Sequence, residues 1–349
     1  QAKEYSGGKY AEAVRAAFLE ELRAAQELKI PSGYDFRVDG KVAQPLLMQR
    51  LVAVRVRDKH RYGNWSGTGA GKTLSAVLAT RVVGAGLTVV CCPNAVVERW
   101  EEGIKEVFPD SQVATKTWEP KWPKRKQPRY LVQNFEQFQQ QDSKARIKAF
   151  CERESVEFVV VDEIHYAKQR YVDASQRKKM VTGLISTVGE DNPDLHVLGM
   201  SATPVINNLK EGKSLVEMIT GLEHDDLETK ATIANCMKLY QRLVTLGTRW
   251  KPDYSQTLIK KVVEVDCEDH LDEVRALAKG HSPLELEKVL TQARLPTILE
   301  HCEPGKKTLV YTHYVEGIDK TLYDALTEKG LKVGFYTGQD KSGLDGFLR

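Results

Sequence analysis

The residues best suited to chemistry stand in three short groups. The first is Ser66-Gly67-Thr68-Gly69-Ala70-Gly71-Lys72-Thr73, directly ahead of the apolar residues 74–79. Glycines at 67, 69 and 71 let the backbone curl tightly enough to aim several N–H groups at one anion. Lys72 would then reach the β- and γ-phosphates of a nucleotide and Thr73 would put its hydroxyl on Mg²⁺. The helix that follows would offer its positive N-terminal end. The usual pattern has glycine where Ser66 stands, a change the loop tolerates if that residue needs no positive φ. The second group is Asp162-Glu163-Ile164-His165, which closes the apolar run Phe158-Val159-Val160-Val161. A buried strand delivering two adjacent carboxylates is what a nucleotide hydrolase with a phosphate loop requires. Asp162 would hold Mg²⁺ through its water shell, and Glu163 would orient and deprotonate the attacking water. In the third group, Val197-Leu198-Gly199-Met200 leads into Ser201-Ala202-Thr203-Pro204. Ser201 and Thr203 are placed to hydrogen-bond the 162–165 turn, His165 included, and to relay the state of the nucleotide.

The elements that must position these groups follow from hydrophobic periodicity. Residues 10–28 read as an accessory amphipathic helix closed by Ile30-Pro31-Ser32-Gly33, and residues 45–56 as a second helix. Within the latter, Gln49 is a candidate for reading an adenine edge with its paired donor and acceptor; Gln44 is a rival, and a plain exposed glutamine is the alternative. After the loop come a helix over 73–83, a strand over 87–92 buried on both faces, the turn Pro93-Asn94 and a helix over 95–107 containing Trp100. Residues 116–129 combine prolines and basic side chains with Trp118 and Trp122. Two readings stay open there: a loop that meets phosphates and stacks on bases, or a solvated loop whose tryptophans fold back. A strand over 130–132 leads to Gln133-Asn134-Phe135-Glu136, and a helix over 143–151 precedes the 158–161 strand. Residues 209–303 are mostly helical in pattern, with helices over 214–222, 233–246 and 284–294 and strand-like alternation over 259–265. The cluster Arg177-Lys178-Lys179 reads as solvated surface.

Bulk properties leave the class open but exclude some options. At 349 residues, two domains are expected, because single cores rarely grow past about 250 to 300 residues. Net charge is +3, so any interaction with polyanions must come from local patches. The six cysteines form no CxxC pair and read as reduced thiols of an intracellular protein, cytoplasmic if bacterial or viral and nuclear if eukaryotic. No apolar run is long enough to span a bilayer, so a membrane partner is not expected. The chain opens at Gln1 and closes at Arg349 as a piece of something longer would.

With the three groups in this order, the chain resembles superfamily 2 helicases and translocases: Asp162-Glu163-Ile164-His165 matches their DExH box and Ser201-Ala202-Thr203 their SAT motif. Further segments resemble the Swi/Snf branch. They are the residues from Val90 through Cys92-Pro93-Asn94 to Trp100, the stretch Gln133-Asn134-Phe135-Glu136-Gln137-Phe138, Lys168 after the box, and Thr203-Pro204-Val205-Ile206-Asn207-Asn208. Lys307-Thr308-Leu309-Val310-Tyr311-Thr312-His313-Tyr314 is similar to the strand that opens the second lobe, and Tyr336-Thr337-Gly338 to the next strand end. Residues 293–307 resemble that branch's "helix, Leu-Pro, helix, Gly-Lys-Lys" lead-in. Ile164 and Ser201 depart from the Swi/Snf pattern, as in a divergent or neighbouring branch. Nothing after Gly338 matches the last two motifs, so the second lobe reads as truncated.

The resemblance implies an α/β fold of two RecA-like lobes with parallel sheets flanked by helices. Residues 1–40 would be the accessory helix, 41–210 the first ATP-binding lobe, 211–303 a helical insertion and linker, and 304–349 the start of the second lobe. It implies ATP and Mg²⁺ as ligands, with Lys72, Asp162 and Glu163 as the catalytic set. It also implies nucleic acid, foremost double-stranded DNA, as partner, within a larger protein assembly. Backbone contacts would come from Pro93, Asn94, Gln133 and Asn134 in the first lobe and Thr312, His313, Thr337 and Gly338 in the second. The function implied is translocation along DNA by ATP-driven closure of the lobes. A strand-separating DExH helicase and a nucleotide-gated recruitment module with little hydrolysis remain alternatives.

Overall fold

The computed structural model describes residues 8–124, 126–166, 176–205, 208–253, 259–280, 282–337, 340 and 343–348. Its contacts divide the chain into two units, residues 1–254 and 255–349.

The first unit is built on one parallel sheet. Helix α1 (Lys9–Gln26) and a small hairpin, β1 (Arg37–Val38) with β2 (Lys41–Val42), precede α2 (Leu47–Lys59) and strand β3 (Arg61–Asn64). Then follow α3 (Lys72–Val82), β4 (Leu87–Cys92), α4 (Val97–Val107), β5 (Gln112–Thr115), β6 (Arg129–Asn134) and α5 (Ser143–Arg153). The unit continues with β7 (Phe158–Val161), α6 (Gln176–Asp191), β8 (His196–Met200), α7 (Leu209–Thr220), α8 (Ile233–Leu246) and β9 (Gly247–Thr248). The seven strands pair in the order β5-β6-β4-β7-β8-β3-β9, every ladder parallel. Every residue of β4 and β7 is buried, as expected of strands covered on both faces.

Alternate residues of each strand feed two cores. Val90, Val132, Val160 and Leu198 face Val52, Val56, Leu78 and Ile104 from α2, α3 and α4. Val89, Leu131, Val159 and Val197 face Ile147, Phe150, Leu184 and Leu215 from α5, α6 and α7. The expected α/β architecture with a helix-flanked parallel sheet is therefore present. Because Cys92 lies opposite Asn134, Cys91 opposite Val161, Val161 opposite Gly199, and Asn64 opposite Met200, the strand ends bearing the chemical groups share one edge.

Some local expectations are corrected. The helix expected over 95–107 begins as a 3₁₀ turn, Asn94–Val96, before α4, whose residues Val97, Trp100, Ile104 and Val107 form one buried face. Of the two readings for the basic loop, the tryptophans fold back: Trp118 is buried edge-on against Phe138 and Phe150, with ring centroids 5.4 and 5.6 Å away. Trp122 lies under the Arg129 guanidinium, 5.8 Å from its ring centroid.

The second unit contains α9 (Leu271–Lys279), α10 (Pro283–His301), α11 (Ile318–Glu328) and α12 (Gly343–Leu348). Helix α10 runs through Pro296 rather than breaking at the Leu-Pro pair. Residues 259–265, read from sequence as a strand, are in none; Ile259 and Val262 are exposed, so their alternation has no surface to pack on. The segments around 310–314 and 331–335, which belong to no helix or strand, turn Val310, Tyr314, Leu331 and Val333 onto Ile318, Leu322 and Leu326. Their side chains alternate as a strand's do, but no ladder joins them among the described residues. No helix among the described residues is long and apolar enough to cross a membrane.

Candidate active site

The phosphate-loop candidate leaves β3 at Asn64. Ser66 is fully buried; its N–H donates to Asn64 Oδ1 at 3.2 Å, and its Oγ accepts the backbone N–H of Trp250 at 3.1 Å. Trp65 N–H donates to the Thr248 carbonyl at 2.7 Å and Gly67 N–H to the Trp250 carbonyl at 2.9 Å. The strand after α8 thus straps the front of the loop, and this is the use of serine where glycine is usual. Its hydroxyl fixes the strap, and its backbone is not in the left-handed region. Gly69 and Gly71 both sit at φ 73°, which L side chains rarely adopt. A methyl group on Gly71 would also run into the Gln49 amide.

Lys72, the first residue of α3, folds back so that Nζ donates to the Ser66 and Gly67 carbonyls at 3.2 and 3.1 Å. Thr68 and Gly69 are exposed, Ala70 is buried, and Thr73 is half-buried in the first turn of α3. That turn leaves N–H groups without partners inside the helix. Gln49 is buried: its Oε1 accepts Leu46 N–H at 2.7 Å, capping α2, and its Nε2 donates to the Gly71 carbonyl at 3.4 Å. It braces the loop, a role its sequence position did not reveal. Gln44 is exposed and accepts from Arg50 at 3.3 Å.

The carboxylates stand at the end of β7. Asp162 Oδ2 accepts the indole N–H of Trp100 at 2.8 Å, and Oδ1 accepts Glu163 N–H at 2.9 Å. Glu163 has φ 45°, a left-handed conformation that costs a non-glycine residue about 1–3 kcal/mol and persists only where the surroundings enforce it. Its Oε2 lies 3.1 Å from His165 Nδ1 and accepts from Ser201 Oγ at 3.3 Å. Ser201 Oγ also lies 2.9 Å from His165 Nδ1 and accepts Thr203 N–H at 3.0 Å. His165 Nδ1 is thus within hydrogen-bond distance of both Glu163 Oε2 and Ser201 Oγ, and a hydrogen on Nδ1 serves the carboxylate.

These environments push the two carboxyls apart. Burial raises Asp162 to about 6; the Glu163 charge adds to the rise, while the Trp100 hydrogen bond and the Lys72 charge oppose it. Glu163 is held below the usual carboxylate range, first by the His165 hydrogen bond, against a burial penalty and with help from the charges of His165 and Lys72 and the Ser201 hydrogen bond. Glu163 is thus ionised at neutral pH and half-enclosed.

The first unit's turns expected to meet nucleic acid also lie on this edge. Asn94 is exposed and its Oδ1 accepts from Asn134 Nδ2 at 2.8 Å, while Pro93 is half-buried beside it. Gln133 is fully buried, with its Nε2 directed at the Thr117 carbonyl, so its side chain does not face outward. In the second unit, Thr312 is half-buried, His313 is exposed with its ring edge-on to Tyr314, and Thr337 N–H donates to the Asp340 carbonyl at 2.6 Å. Gly338 and Lys168 lie outside the described residues.

The family model for "Type III restriction enzyme, res subunit" (ResIII) matches residues 25–206, more than half of the sequence and all three chemical groups. The chain belongs to this family. The match places that region in the N-terminal lobe of a superfamily 2 helicase, so the Swi/Snf resemblance holds at superfamily level. No curated protein matches significantly. Among solved structures, the Sulfolobus solfataricus SWI2/SNF2 ATPase core in complex with double-stranded DNA is similar, at 13% identity and a TM-score of 0.49. The likeness covers 92% of this chain and 71% of that one.

The donor set of this ResIII chain fits Mg²⁺. No cluster of three or more His, Cys, Asp or Glu residues able to hold a metal occurs among the described residues. Thr73 and Asp162 instead offer the one hydroxyl and one carboxylate that Mg²⁺ combines with substrate phosphates and water.

Proposed function

We propose that this chain is an ATP-dependent nucleic-acid translocase that acts on double-stranded DNA. The observation that supports it most is the meeting, on one edge of one sheet, of a Gly71-Lys72-Thr73 loop end with an ionised, strained Glu163 held by His165 and Ser201. ATP would lie on residues 66–73, with Lys72 exchanging the Ser66 and Gly67 carbonyls for phosphate oxygens. Gln49 would brace the loop from below and remains the candidate for the adenine edge. Mg²⁺, held by Thr73 and, through water, by Asp162, would neutralise charge on the β- and γ-phosphates. Glu163 would take a proton from the attacking water as its oxygen bonds to the γ-phosphorus. The bond to the β-phosphate oxygen breaks, and ADP leaves with that electron pair.

Glu163 reports the outcome through His165 and Ser201 to Thr203. Pro93 and the exposed Asn94, steadied by Asn134, would carry the DNA backbone in the first unit, while the buried Gln133 would not; Thr312, His313, Thr337 and Gly338 would do so in the second. These contacts are sequence-independent, so DNA affinity should fall steeply with salt.

Triplex displacement from duplex DNA tests the reading. ATP-dependent displacement supports translocation. Strand separation of a forked duplex without triplex displacement replaces it with a helicase, and neither activity at any salt concentration overturns both.

A further inference from the structure

Trp100 is used by none of the roles above, yet it sits at the junction of all of them. It lies on the buried face of α4, less than two helical turns after the exposed Asn94 and next to Val97 and Ile104. Its indole N–H is a single, rigid donor, and it is spent on Asp162 Oδ2 at 2.8 Å. The other carboxylate oxygen is held by Glu163 N–H at 2.9 Å, so both oxygens are fixed and the plane of the group has no freedom to rotate. The same helix packs against α3, which opens at Lys72-Thr73; a methyl group added at Gly103 would come to 3.5 Å from Thr73 Cγ2. Helix α4 therefore lies beside Thr73 and hydrogen-bonds Asp162, while the turn ahead of it carries Asn94, tied to Asn134 at 2.8 Å.

We propose that Trp100 is a positioning residue: its indole N–H aims the Asp162 carboxylate for the magnesium of bound nucleotide and ties that carboxylate to α4. This rests on the nucleotide-hydrolase reading of the site. Partners that orient a metal-holding carboxylate typically account for 10–100-fold in metal affinity. A tryptophan is suited to the task because its ring is anchored by apolar packing while its one polar atom reaches the carboxylate.

The test compares wild type, Trp100→Phe and Asp162→Asn in the full chain. Mn²⁺ binding in the presence of ADP is followed by the loss of the free-ion electron paramagnetic resonance signal, and ADP binding in EDTA is measured beside it. Trp100→Phe should weaken Mn²⁺ binding by about tenfold while leaving metal-free ADP binding within twofold, an outcome a merely structural defect would not give. Asp162→Asn should weaken Mn²⁺ binding at least as much, and the double variant should be no worse than Asp162→Asn alone. If Trp100→Phe binds Mn²⁺ as wild type does while Asp162→Asn does not, the positioning role is overturned. If Asp162→Asn itself leaves Mn²⁺ binding intact, it is the reading of the site that fails. Indole ¹H–¹⁵N spectra of the wild-type chain give the same answer without altering Trp100. One tryptophan N–H should shift both on adding Mg²⁺ with ADP and in Asp162→Asn. If none of the five does, the proposal is overturned.

Discussion

Asp162→Asn should make the metal-free protein more stable at high pH while removing the carboxylate proposed to hold Mg²⁺. Burial lifts the Asp162 carboxyl from 3.8 to about 6. At 1.36 kcal/mol per unit, the ionised form costs the fold about 3 kcal/mol. The sign follows from proton binding: between 3.8 and about 6 the folded chain holds this proton and the unfolded chain does not, so stability falls as pH rises through that window. Below the window the cost is absent; above it, the cost is complete. Asparagine carries no such term but can accept only one of the two hydrogen bonds, from Trp100 and Glu163, that Asp162 accepts. That loss is worth about 1–2 kcal/mol. The variant should therefore be less stable than wild type near pH 4 and more stable by about 1–2 kcal/mol near pH 8. All five tryptophans lie in the first unit, so urea denaturation in EDTA, followed by tryptophan fluorescence, reports on that unit alone. A difference between variant and wild type that is flat from pH 4 to 8, or that shrinks as pH rises, would refute the reasoning.

Other substitutions probe the elements around the site. Gly71→Ala puts a side chain at φ 73° and against the Gln49 amide, so it should cost about 1–3 kcal/mol and at least about tenfold in ATP affinity by calorimetry. Ser66→Gly restores the commoner loop residue but strips Trp250 N–H of its acceptor. Urea denaturation should show a loss of about 1–3 kcal/mol rather than a gain. Trp118→Ala removes a buried ring from between Phe138 and Phe150 and should cost about 3–5 kcal/mol of stability. A full-strength fold with weakened DNA binding would instead restore the stacking role. Glu163 ionises more easily in the fold than in the unfolded chain, so its contribution is present above its unfolded pKa and lost as pH falls through the folded value. Glu163→Gln should accordingly narrow the stability gap between neutral and acidic pH in the same denaturation series.

The parts of this site that could be read from sequence are those whose chemistry demands fixed residue types beside a strong local pattern. The loop needs glycine at Gly69 and Gly71, and the structure places both at positive φ. The carboxylates end a wholly apolar strand, and Ser201 ends the strand beside it, so a shared sheet edge follows once the strands are parallel. What the sequence hid is long-range. The strap from Thr248 and Trp250 onto Trp65, Ser66 and Gly67 is made mostly by backbone atoms, which leave no side-chain signature. Gln49 was legible as a candidate but not its orientation, because the same amide can face a nucleotide or the Gly71 carbonyl. Trp118 reads equally as a stacking platform or a core residue until Phe138 and Phe150 are seen around it. The alternation at 259–265 looked like a strand because period alone does not supply the surface such a strand must cover.

ATP turnover by the full chain, measured alone and with duplex DNA, single-stranded DNA and RNA, is the most direct test. The expected result is Mg²⁺-dependent hydrolysis that duplex DNA stimulates most, that Lys72→Ala abolishes together with ATP binding, and that Glu163→Gln abolishes while ATP still binds. Turnover that no nucleic acid stimulates, or that survives Glu163→Gln, would contradict it.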